Sequence, residues 1–93
     1  MSHRRSKLEI QLNILSSVMN GVDKPTRIMY AANMSWRPVQ RNLSSLVEHG
    51  LLEKQVNLES SKSKSRYVIT EKGIHVLEYF KKAKEILPIK EIY

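Results

Sequence analysis

The stretch from Ser35 to Leu58, "SWRPVQRNLSSLVEHGLLEKQVNL", changes its hydrophobic period halfway along. Up to Val47 the apolar residues Val39, Leu43, Leu46 and Val47 fall at i, i+4, i+7 and i+8, which is one buried face of a helix. Ser35 is a good N-cap residue, Pro38 falls in the first turn where proline is tolerated, and Gly50 is a natural stop. Beyond Gly50, "LLEKQVNL" alternates as a strand does. Arg37, Gln40, Arg41, Ser44, Ser45 and Glu48 are left away from the apolar face of the helix.

Reading backwards, "NMS" at 33–35 is too short for anything but a tight turn. Before it, a short helix with Pro25 in its first turn carries Ile28, Met29, Ala31 and Ala32. Ser6 and Glu9 form a capping box, so a first helix begins near Lys7 and ends at Gly21. It carries two stripes, Leu8, Leu12, Leu15 and Met19 beside Ile10, Ile14 and Val18. Reading forwards, "RYVIT" at 66–70 is a second strand, and "ESSKSKS" between the strands is a polar, basic hairpin tip. Thr70 then caps a last helix with Leu77, Phe80 and Leu87 on one stripe and Val76, Tyr79, Ala83 and Ile86 on another. Pro88 ends it and leaves "IKEIY" as a tail.

Ninety-three residues suffice for one domain with a small core. The expected division is an N-terminal basic arm at 1–5, a core at 6–70, a C-terminal helix at 71–87 and a tail at 88–93. Hydrophobic residues at 41% and charged residues at 27% belong to a chain that folds in water. No segment approaches the roughly 20 apolar residues of a membrane span. Glu9, Gln11 and Asn13 interrupt what would have to be the apolar part of a signal peptide, so a cytoplasmic protein is expected. The absence of cysteine excludes disulfides and thiolate zinc sites. His3, His49 and His75 have no acidic partners at ligand spacing, Asp23 is the only aspartate, and no serine, histidine and acid stand out together; neither metal, cofactor nor catalytic site is expected. The net charge is +7, and residues 1–70 hold eleven basic against five acidic side chains. Such a bias suits a polyanionic partner, nucleic acid before an anionic membrane.

The element order is ααα-ββ-α, mainly α with a small β-hairpin (α+β), which is the plan of a winged helix-turn-helix. In that plan the third helix enters the major groove and its long donors and amides meet base edges. Ser35, Trp36, Arg37, Gln40, Arg41 and Ser44 are the candidates on this helix. Lys62, Lys64 and Arg66 in a wing at 59–66, together with Arg4, Arg5, Lys7 and Arg27, are candidates for the phosphate backbone. Trp36 has two readings, stacking on sugar or base and closing the turn against the second helix; the second is preferred. Arg41 is read as a base contact whose removal weakens specific binding more than non-specific binding.

"EHGLLEK", a polar wing and "YVITEKG" resemble the helix-to-wing and wing-to-helix passages of winged-helix transcription regulators. "RSKLEI" at 5–10 and "TRIMYAANMS" at 26–35 resemble more closely a family of small basic archaeal winged-helix DNA-binding proteins that includes chromatin-associated dimers. The resemblance covers residues 5–80 and implies duplex DNA binding through the third helix and wing. In the family's chromatin-type members dimerisation runs through a long C-terminal helix in an antiparallel coiled coil. Here that helix meets Pro88 after about 17 residues, or about 25 Å, a departure from the family's pattern.

The stripe of Val76, Tyr79, Ala83 and Ile86 has two readings, packing on Ile10 and Ile14 of the first helix within one chain and meeting its copy in a homodimer; the dimer interface is preferred, because a domain this small has little spare core. The expected function is a non-enzymatic, nucleoid-associated double-stranded DNA-binding protein that regulates transcription. An architectural chromatin protein and a winged-helix protein-interaction module are the alternatives.

Overall fold

The computed structural model describes residues 6–57 and 64–86. It contains α1 (Lys7–Met19), α2 (Pro25–Ala31), α3 (Trp36–Glu48), β1 (Leu52–Asn57), β2 (Lys64–Ile69) and α4 (Glu71–Ile86), in the order read from the sequence. The fold is a winged helix: helices with a two-stranded antiparallel wing. The arm at 1–5, the wing tip with Glu59 and Lys62, and the tail from Leu87 lie outside the described residues.

Each helix starts and stops for a local reason. Ser6 caps α1 by accepting a hydrogen bond from the Glu9 amide at 3.0 Å. Lys24 is extended, as the residue before a proline prefers to be, and Pro25 opens α2. The first three helices end in the same paired bonds. Gly21 N–H donates to Val18 and Val22 N–H to Ser17; Asn33 N–H to Tyr30 and Met34 N–H to Met29; Gly50 N–H to Val47 and Leu51 N–H to Leu46. The middle residue of each turn has positive φ, +97° at Gly21, +53° at Asn33 and +74° at Gly50. Asparagine tolerates this left-handed conformation better than most side chains, which is why the α2–α3 turn closes without a glycine.

The wing pairs Leu52 with Ile69 through Asn57 with Lys64. Side chains alternate across a strand, so Leu52 and Tyr67 face the helices and are buried while Arg66 faces outward. The Tyr67 amide donates to the Asp23 carbonyl at 2.8 Å, which fastens the wing to the α1–α2 loop. Thr70 fastens it to α4. Its hydroxyl proton is shared between the Gly50 carbonyl at 2.7 Å and the Leu51 carbonyl at 3.0 Å, while its oxygen accepts from the Gly73 amide at 3.0 Å. Gly73 is buried there, and the position needs glycine because a Cβ would collide with the Leu51 carbonyl oxygen and come within 2.7 Å of Ile69 Cγ1.

The core gathers Leu12, Ile14, Leu15 and Val18 from α1, Ile28 and Ala32 from the α2 segment, Val39, Leu43 and Leu46 from α3, and Leu52 and Tyr67 from the wing. Of the two α1 stripes, the ends of the first, Leu8 and Met19, stay exposed. Helix α4 adds only half-buried side chains, Val76 and Leu77 among them.

Candidate nucleic-acid interface

Three residues settle how α3 is rotated. Val39, Leu43 and Leu46 are completely or almost completely buried, so the opposite face is turned to solvent. Arg37, Arg41, Ser44 and Glu48 are exposed on it, and Gln40 is partly covered. Ser35 takes the N-cap position and is exposed, but its hydroxyl makes no capping bond. The face therefore offers two guanidinium groups, an amide and a hydroxyl. These are the groups that can hydrogen-bond to base edges or phosphates.

Trp36 is 47% exposed at the start of α3 and does not belong to the buried cluster, so more than half of it is covered without its entering the core. The turn before it carries paired backbone bonds and the left-handed Asn33.

The other cations are distributed around α3. Lys7, in the first turn of α1, is exposed and lines a cleft with Ile10, Arg41, Asn42 and Ser45. Arg27 is exposed on α2. Arg66 is 59% exposed on β2, and its Nε lies 3.6 Å from Asp23 Oδ2, a partner the sequence reading did not give it. The backbone of Lys64 ends the ladder opposite Asn57. Lys62, Arg4 and Arg5 lie outside the described residues.

Two polar linkages position this surface, and the sequence reading had neither. Asn42 Nδ2 donates to the Pro38 carbonyl at 2.8 Å, and its Oδ1 accepts a long bond from Gln11 Nε2 at 3.5 Å, which ties α3 to α1. At the other end, Lys72 Nζ donates to the His49 carbonyl at 2.9 Å, a cation at the negative end of the α3 dipole. His49 Nδ1 lies 2.7 Å from the Ser45 carbonyl, so it is the donor in that contact. The spacing of Pro38 and Asn42, one helical turn apart, is the only sequence signal for the first linkage; the second depends on the wing bringing α4 back to α3.

On α4 the apolar stripe divides. Val76 packs half-buried against the core, so it does not belong wholly to an outward face. Tyr79 is 78% exposed and Ile86 71% exposed; with Lys82 and Ala83 they line a shallow depression that is almost entirely apolar. Among the described residues no helix is long and apolar enough to cross a membrane, and no three His, Cys, Asp or Glu side chains gather as metal ligands would.

Known proteins share this fold. The fold superposes on Sso10a-2, a DNA-binding protein from Sulfolobus solfataricus, with a TM-score of 0.72 at 26% identity over 88% of this chain and 81% of that one. A MarR-family transcription regulator, SP03579, matches with a TM-score of 0.72 at 20% identity, over 83% of this chain and 51% of that one, which is a likeness of fold. Two uncharacterized proteins of Methanocaldococcus jannaschii are similar in sequence. MJ0287 is 32% identical over 71 residues, 76% of this chain and 65% of that protein. MJ0290 is 32% identical over 77 residues, 83% of this chain and 33% of that protein. The winged helix-turn-helix family model matches residues 4–87, every element described above included, and the chain belongs to that family.

Proposed function

We propose that the protein binds double-stranded DNA and regulates transcription as a nucleoid-associated, cytoplasmic homodimer built from a single domain. The observation that carries the reading is the division of α3, whose apolar residues are buried while Arg37, Gln40, Arg41 and Ser44 stand on the solvent side. A helix of this size fits the major groove, and those side chains are of the kind that meets base edges and phosphates there. Arg27, Lys7 and the wing residues Lys62, Lys64 and Arg66 follow the flanking backbone, as do Arg4 and Arg5 of the arm. Trp36 meets the duplex at the start of α3. The winged helix-turn-helix family is non-enzymatic, and the reading involves no chemical step.

Dimerisation rests on α4. Tyr79, Ala83 and Ile86 present an apolar strip that a second copy would cover, and a two-fold axis would set two α3 helices about 34 Å apart on a near-palindromic site. Duplex titration by gel shift at several salt concentrations tests the DNA reading. A log-log slope of about −3 to −4 per monomer is expected for four or so phosphate contacts. Arg37→Ala and Gln40→Ala should each relax sequence preference in a random-duplex selection. Absence of any salt-dependent shift would leave a protein-interaction module, which has no need of cations on both α3 and the wing. Equal competition by A-form RNA would move the target to RNA.

A further inference from the structure

We infer that Arg41, together with Lys7, seats a phosphate of the DNA backbone in the cleft between α1 and α3, and does not read a base. This rests on the duplex-binding reading and divides the labour within it. Arg41 stands on the exposed face of α3, but the same residue lines the cleft whose other walls are Lys7, Ile10, Asn42 and Ser45. Among the described residues Lys7 and Arg41 are the only charged side chains lining it, and no carboxylate enters. Glu9, the nearest acid along α1, is buried and does not line it. Two like charges brought to one concave seat repel each other unless an anion lies between them.

The packing explains why the cleft exists and which anion suits it. Asn42 uses one amide N–H on the Pro38 carbonyl and accepts at its oxygen from Gln11, so it ties α3 to α1. Lys7, one turn before Gln11, is thereby carried to the flank of α3 beside Arg41. A ligand touching both helices must sit at the rim of the groove that α3 enters. At that rim a duplex presents phosphate and sugar, while base edges lie on the floor beyond the reach of α1. The Ser45 hydroxyl adds a donor and Ile10 an apolar wall for a deoxyribose. Arg37, Gln40 and Ser44 do not line this cleft and remain for the bases.

The test uses the full chain, a duplex recovered by random-sequence selection and a scrambled duplex of equal length, each titrated over a salt series. Arg41→Ala and Lys7→Ala should each weaken binding to both duplexes alike, by about three- to tenfold. Because both cations hold one phosphate, the double variant should flatten the salt slope by about 0.9, the share of a single phosphate, and not twice that. Arg41→Lys should restore binding to within about twofold, since a point charge satisfies a phosphate but not the bidentate edge of a guanine. One uncharged methylphosphonate linkage, walked along the selected duplex, should at one position weaken the wild type and leave the double variant unaffected. Loss of binding to the selected duplex alone in Arg41→Ala, an Arg41→Lys protein as weak as Arg41→Ala, or no effect of Lys7→Ala would overturn the inference while leaving DNA binding intact. A wild-type protein that binds neither duplex would overturn both.

Discussion

Helices α3 and α4 both carry apolar stripes at helical spacing, yet the fold treats them in opposite ways. In α3 the stripe is consumed: Val39, Leu43 and Leu46 vanish into the core and the surface left over is polar and cationic. In α4 only the edge of the stripe nearest the wing is used, and Tyr79 and Ile86 remain in water. An apolar stripe says that a helix will be covered, but not by what. The covered helix is left with a face suited to a polyanion, and the uncovered one with a face suited to another protein surface.

The contrast can be broken most forcefully at Leu43, which is fully buried. Leu43→Ala should cost about 2–5 kcal/mol, read as a lower urea midpoint with an unchanged slope. A smaller loss is expected at the joint between wing and α4. Gly73→Ala forces its Cβ against the Leu51 carbonyl and Ile69, and should cost about 1–3 kcal/mol by the same measurement. On the exposed side of the comparison, Tyr79→Ser with Ile86→Ser should change the stability of a single chain by less than about 1 kcal/mol. It should also abolish the dependence of Tm on protein concentration and convert dimer to monomer in sedimentation equilibrium. A double variant that still sediments as a dimer would move the interface elsewhere.

The smallest effect is at Tyr67, whose burial raises the pKa of its phenol above the usual value. Above pH 10 the unfolded chain gives up this proton before the folded chain does. The folded state then binds more protons, and stability falls as pH rises through that range, being fully present below it. Tyr67→Phe should flatten this alkaline decline, measured by denaturant titration between pH 8 and pH 11.

The change of period at Gly50, the caps at Ser6 and Thr70, and the prolines at 25 and 38 made the order of elements legible, because each acts within a few residues of itself. The polar face of α3 was legible for the same reason: once the apolar positions were assigned, helical geometry placed the rest. The degree to which Trp36 is covered was not, because it depends on how α2 packs against α3 and not on spacing along the chain. Arg66 likewise looked like a free cation until the wing brought it to Asp23, more than forty positions earlier in the chain.

The sequence by itself determined the helices, the strands, their order and the side chains that α3 turns outward, since periodicity, capping and turn chemistry are local. Only the tertiary structure decided which cations share a seat, which stripe of α4 is covered, and where the indole lies. Lys7 and Arg41 are 34 positions apart and line one cleft because the core draws α1 against α3, where Gln11 reaches Asn42. Such meetings depend on packing between distant segments, and no spacing along the chain records them.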